Sequence, residues 1–351
     1  MTTIVGIKQD GFNTRFLMLV APLAAMIYPF LLQGYSLGVR LITSGGAHAG
    51  VLPWLMAAVF LIAAFAVPGV ALVFAIRLSM IATATAAVLQ ARRAALLAVA
   101  TPVIFTFVGV VLYMLGYPDF DKWVLAAFWA AVLTAVISKG NDTAVAAPSR
   151  SASISFHLRK AHMAAAVIVV LFLLMHIGNQ LAGLAGPDLH TVVMKALRHV
   201  YRSTFVEPVL VGLFLFLVVS GFYLFLRATA KPSDRFQTFQ IASGVYLALF
   251  VLSHMNAVFI FARTYLRVDT GWAFATGAPV GLLKDPWNIR LVPLYVLAVF
   301  FVLSHFASGM RVVMLKRGMN MNQANRLMIA GTALGGVVAV LIVLGMCGLR
   351  L

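Results

Sequence analysis

Nine apolar runs decide what this chain can become. A helix of about 20 apolar residues just crosses the hydrocarbon core of a bilayer, where every backbone polar group has to be satisfied within its own segment. The runs are Phe16 to Tyr35, Val51 to Ile76, Ala95 to Gly116, Trp123 to Val136, Ala161 to Leu184, Val209 to Leu226, Phe236 to Phe261, Leu291 to Leu315 and Leu327 to Leu349. Trp123 to Val136 is the shortest and the weakest candidate for a full crossing. Of the 351 residues 63% are hydrophobic and 10% charged, which excludes an ordinary soluble domain. The expected fold is an all-α integral membrane protein of about nine transmembrane helices.

Met1 to Lys8 lack the apolar core and small-residue cleavage site of a secretory signal, so the first run reads as a retained span. The single cysteine, Cys347, excludes an intrachain disulfide and any cysteine-held cluster or c-type haem. The net charge of +17 is carried in loops between spans. Its natural targets there are anionic lipid headgroups or an acidic partner, not nucleic acid.

Residues 139–156 form the only long polar interruption, with Asn141, Asp142 and Pro148 among Ser and Ala. They suggest an N-terminal four-helix membrane bundle over 1–140, a cytoplasmic linker over 141–158 and a five-helix bundle over 159–351. Arg15 and Gly34 align with Arg159 and Gly178 at one offset, and Arg93-to-Pro102 resembles Arg235-to-Gly244. A duplication is one reading of this faint repeat, the first half then holding Leu32 and a residue near Leu112 where the second holds His176 and His254; chance alignment of apolar sequence is the other.

With the N-terminus inside, 16 of the 26 Lys and Arg fall on the inner side and 10 on the outer. That bias favours a bacterial cytoplasmic-membrane protein with a cytoplasmic N-terminus and an outer C-terminus. Trp54, Trp123, Trp272 and Trp287 then fall near the outer boundary, as an aromatic belt does. Leu189 to Arg202 reads as an interfacial amphipathic helix whose His190 and His199 face solvent. The Gly- and Pro-rich stretch from Arg267 to Arg290 is expected to cap the outer face.

Three apolar runs carry a histidine: His176, His254 and His305. An ionisable side chain at bilayer depth is costly and marks a function or a partner. Neutral imidazole is a common axial ligand of haem iron, and helix bundles commonly hold such cofactors between facing helices. The alternative is three polar groups hydrogen-bonded between helices. Depth separates the three. His176 lies 17 residues after Arg159 and His254 lies 19 after Arg235, on helices of the same direction. At 1.5 Å per residue both sit about 25–28 Å from the inner boundary. His305 precedes Arg311 by six residues on a helix of the opposite direction, so it lies only about 9 Å in. The first two can clamp one group, and the third implies an inner layer. Leu217 stands where a partner for His305 would be, and His162 is at a similar inner depth.

Phe-Leu-Leu-Met-His176, Ser243-Gly244 through His254, and His305-x-x-x-Gly309-Met310-Arg311 resemble the first, third and fourth helices of a known family. This is the five-helix dihaem cytochrome b anchor of succinate:quinone and fumarate:quinone oxidoreductases. The resemblance covers residues from about 155 to 349. It implies His176 and His254 on a distal haem b and His305 on a proximal one. It further implies a quinone, and iron–sulfur and flavoprotein subunits docked on the cytoplasmic face. Arg311 and Arg227 become candidates to pair haem propionates. The chain departs from the family at Leu217, where the second-helix ligand is missing, so the proximal haem is absent, five-coordinate or held through His162. It departs again at Gln240, in the position of the quinone-site arginine. Two other readings stand beside this one. One is a non-catalytic structural or assembly subunit of a respiratory or photosynthetic complex that has lost cofactor sites. The other is a transporter, against which no span shows paired Gly/Pro breaks around a charged pair.

Overall fold

The computed structural model describes residues 11–48, 50–82, 85–138 and 152–351, without the side chains of 11–14, 47 and 152–155. Among these residues the protein is 84% helical and has no strands. It is an all-α, multi-pass membrane protein. Eight helices are long and apolar enough to cross a bilayer, and a bent helix pair raises the number to nine. Residues 141–151 of the expected linker lie outside the described residues, and 152–158 form the start of a helix.

The chain divides into two compact units. The first comprises the described residues to 138 together with Phe225–Tyr246, and the second comprises 152–224 and Leu247–Leu351. The first unit thus includes a segment that the sequence division had assigned to the second bundle.

In the first unit α1 (Gly11–Gly45) lies along α2 (Val51–Ser79). Ala21, Ala25, Tyr28, Leu32 and Tyr35 recur every three or four residues on the buried face of α1, and Ala57, Ala64, Ala71 and Ala75 are buried on α2. Small residues let the two backbones approach, which is how apolar helices associate where lipid offers no hydrophobic drive. At Gly38 a Cβ would lie 2.9 Å from the Ala57 backbone nitrogen, so only glycine fits there.

The bent pair is α3 (Ala86–Ala98) and α4 (Thr101–Met114), with 69° between them. The cause is Pro102, which has no N–H to give the Ala98 carbonyl and whose ring crowds it. The Thr101 hydroxyl donates to that carbonyl instead, at 2.7 Å. At 1.5 Å per residue each arm is only about 20 Å long, short of the ~30 Å core. The doubtful crossing is therefore this pair, while Pro118–Ile137, containing α5 (Asp121–Ile137), is a full-length candidate span.

The C-terminal ends of α2 and of α8 (Val206–Thr229) meet α3 through two arginines. Arg92 is 1% exposed and donates to the carbonyls of Leu78, Ile81, Thr229 and Lys231. Arg93 donates to the Leu226 carbonyl and the Thr229 hydroxyl. Helix C-termini leave their last carbonyls without intrahelical donors and carry partial negative charge, and a guanidinium answers both.

In the second unit α6 (Ala152–Ala182) and α7 (Pro187–Tyr201) are followed by the first part of α8. The end of α9 (Arg235–Met255) runs directly into a π-helical segment, Asn256–Leu266. The short α10 (Trp272–Thr276), then α11 (Leu291–Lys316) and α12 (Met321–Met346), complete the unit. α11 and α12 pack closely. Cβ atoms added at Gly331 and Gly335 would lie 3.0 Å from the Ala307 Cβ and 2.9 Å from the Leu303 Cβ. This is the close approach that the Gly-x-x-x-Gly spacing permits. By contrast, the backbones of α6, α8, α9 and α11 hardly approach one another within this unit. Side chains bridge the space between them.

Candidate functional site

α6 presents one face inward. His162, Ala165, Val169, Phe172, His176 and Asn179 follow a three–four spacing, and Val167, Leu171 and Leu174 on the opposite face are exposed. That is the pattern of a helix with lipid on one side and neighbours on the other. α9 directs His254 to meet it. The rings of His176 and His254 have centroids 6.1 Å apart, with their planes at 68°. Each ring is stacked on the phenylalanine one turn before it: Phe172 under His176 at 5.5 Å and 19°, Phe250 under His254 at 5.4 Å and 16°. Both histidines are half-buried. Among the described residues neither ring makes a hydrogen bond. A phenyl face occupies the place one turn back from each ring.

His162 does not face this pair. Its Nδ1 lies 2.7 Å from the Ser220 hydroxyl on α8. Ser220 donates to the Phe216 carbonyl at 2.6 Å, so it accepts the Nδ1 proton and leaves Nε2 with the free lone pair. A metal-binding imidazole is ordinarily oriented by such a contact through its other nitrogen. His305 lies on α11 with its carbonyl accepting from the Ser308 hydroxyl at 2.8 Å. Arg311 is buried and held by Asn325 of α12, its Nε donating to Oδ1 at 2.7 Å. Arg227 is half-buried and belongs to the first unit, whereas Arg311 belongs to the second.

His190 corrects the sequence reading. It is 2% exposed, not solvated. The Asn179 amide donates to its Nε2 at 3.0 Å, and Trp272 lies against its ring at 4.7 Å. Both partners come from distant segments, so no local spacing reveals them. Trp272 is likewise buried on this ring instead of serving the aromatic belt, while Trp54 and Trp123 are exposed. His199 is exposed as expected. The polar edge of α7 ties down the 267–290 stretch: Arg198 pairs with Asp269 at 2.8 Å, and Arg198 and Arg202 both donate to Thr270.

Burial, then the nearby His176 and Arg198, push the His190 pKa down from 6.5 to about 4. Folded His190 is neutral, and between about pH 6.5 and 4 an undocked α7 takes up a proton that the docked helix refuses. Docking is fully favourable above pH 6.5 and weakens as pH falls towards 4. Hydrogen exchange of the α7 amides should be faster at pH 5 than at pH 7.5 after correction for intrinsic rates, and equal protection at both would contradict the assignment.

An imidazole nitrogen binds a transition metal at about 2 Å, so two rings facing each other across one ion have centroids roughly 6 Å apart. The His176–His254 separation fits that span. Among the described residues no three His, Cys, Asp or Glu side chains converge as ligands of a bare ion. No protein-family model, curated protein or solved structure matches the chain.

Proposed function

We propose that the protein is a haem b-binding membrane subunit that carries electrons between a quinone and an iron–sulfur or flavoprotein partner docked on the cytoplasmic face. The observation that carries this reading is the His176–His254 pair, 6.1 Å apart, each ring braced by its own phenylalanine. A bound haem b supplies one-electron redox chemistry. The chain's residues do the rest. His176 and His254 provide axial nitrogens, Phe172 and Phe250 limit ring rotation, and the apolar helices exclude water. His305, with His162 turned by Ser220, is the candidate ligand set for a second haem, and Arg311 of the same unit is the candidate to pair a propionate. A visible spectrum of the purified protein tests the reading: a reduced low-spin b-type spectrum is expected. Absence of any haem absorbance from protein made with ample haem would overturn it.

The alternative, a structural subunit that has lost cofactor sites, is favoured at the inner layer by Leu217. Replacing Leu217 with His is expected to convert an inner five-coordinate or His162-held haem to a bis-histidine low-spin form. A folded Leu217→His protein with an unaltered spectrum would mean that no haem occupies that layer.

The 16-to-10 charge bias supports a cytoplasmic N-terminus in a bacterial cytoplasmic membrane. A reporter fused after Leu351 should be accessible from the outer side if α3 and α4 together make one crossing. Cytoplasmic accessibility would make the Pro102 bend a re-entrant loop.

A further inference from the structure

α7 lies outside every candidate span and shows three sides. His190 and Met194 are buried on the unit. Leu189, Val192, Ala196 and Val200 recur at three- and four-residue spacing and are all exposed, and Phe205 is exposed just beyond them. Lys195, Arg198, His199 and Arg202 make the third side. An apolar stripe left open beside a basic one is the pattern of a helix lying in the plane of a membrane surface.

The basic side has a centre. Thr270 Oγ1 accepts from Arg202 Nη2 at 2.6 Å and from Arg198 Nη2 at 3.1 Å. A hydroxyl has two lone pairs and one proton, so both acceptor positions are taken and the O–H is left to donate. Arg198 pairs with Asp269 and Arg263 with Glu207, but among the described residues no carboxylate forms an ion pair with Arg202. Three guanidiniums thus share two carboxylates. Burial, then the Arg198 and Arg263 charges, hold the Arg202 pKa below its ordinary value. An oxyanion at this place would accept from the Thr270 hydroxyl and the Arg202 fork and relieve the crowding of like charge.

We propose that Arg202 and Thr270 bind the phosphate of an anionic phospholipid whose acyl chains lie along the exposed stripe of α7 and Phe205. The unmatched positive charge selects an anion. The open apolar stripe selects a lipid over a soluble phosphate, which has nothing to place there. Exposed Lys195 favours a head group of net negative charge over a zwitterionic one, whose own cation it would repel. Neither haem nor quinone enters this site.

The test uses full-length protein stripped of lipid in a neutral detergent. It is titrated with dioleoylphosphatidylglycerol or dioleoylphosphatidylcholine, and bound lipid is counted by native mass spectrometry. The first phosphatidylglycerol should bind about tenfold more tightly than phosphatidylcholine. Arg202→Gln and Thr270→Val should each abolish most of this preference. Arg202→Lys, which keeps the charge without the fork, should retain part of it. Arg326→Gln, which removes an exposed charge on α12, should leave it whole. A Val192→Ser, Phe205→Ser double variant should weaken both lipids alike. Should circular dichroism show Arg202→Gln misfolded, Thr270→Val decides. Equal binding of the two lipids by the wild type, or full preference in a folded Arg202→Gln or Thr270→Val, overturns the proposal. Displacement of the lipid by inorganic phosphate would assign the site to a soluble anion and overturn it too.

Discussion

If the protein binds haem as proposed, His176→Ala and His254→Ala should each abolish the low-spin haem absorbance, while the helical content measured by circular dichroism should stay near wild type. The two ring centroids are 6.1 Å apart, a separation that an iron between two imidazoles would also give, and neither ring has a hydrogen bond among the described residues to hold it for another purpose. Losing a contact that merely orients a ligand weakens metal retention by about 10- to 100-fold, so losing a ligand itself should do at least as much. The fold has reason to survive, because the closest helix packing in that unit joins α11 to α12 through Gly331 and Gly335, and neither histidine is on those helices. Phe172→Ala and Phe250→Ala should give an intermediate result, with haem bound but its band broadened, since each ring loses the surface that fixes its rotation. His199→Ala, on the exposed edge of α7, should change nothing. Wild-type haem content and spectrum in both histidine variants would show the pair to be an edge-to-face packing contact, and the structural-subunit reading would take its place.

The features that sequence made legible are those with a short period. The inward face of α6 follows from its three–four spacing, and the matching depths of His176 and His254 follow from counting residues to the charged helix ends. One such signal went unused. Phe172 and His176, Phe250 and His254, and Phe301 and His305 repeat the same four-residue spacing on three helices, and in the first two the rings stack. The features that stayed hidden depend on partners far away in the chain. His190 looks like a surface residue on an amphipathic helix until Asn179 and Trp272 close over it. The inclusion of Phe225–Tyr246 in the first unit depends on Arg92 and Arg93 finding carbonyls more than a hundred residues away.

Those arginines lead to the largest stability effect expected of a single substitution. The Arg92 side chain answers four carbonyls: Leu78 and Ile81 at the end of α2, and Thr229 and Lys231 at the end of α8. Among the described residues no carboxylate pairs with it, so its charge is balanced by carbonyl dipoles at two helix C-termini. Methionine fills similar volume but donates nothing, and it leaves those carbonyls buried and unanswered. A hydrogen bond from a charged group contributes about 1.5–3 kcal/mol, and several are lost together, so Arg92→Met should cost roughly 3–5 kcal/mol. Lysine can reach one or two of these carbonyls but lacks the planar fork that reaches both helix ends, so Arg92→Lys should recover only a minor part. Arg93 is less buried and makes two contacts, and Arg93→Met should cost about 1–2 kcal/mol. Thermal unfolding in detergent measures the order of the three. Limited proteolysis across residues 230–235 reports the local event, because that stretch follows the α8 end that Arg92 holds. Equal stability of Arg92→Met and wild type, with 230–235 equally protected, would mean that other contacts bind Phe225–Tyr246 into the first unit.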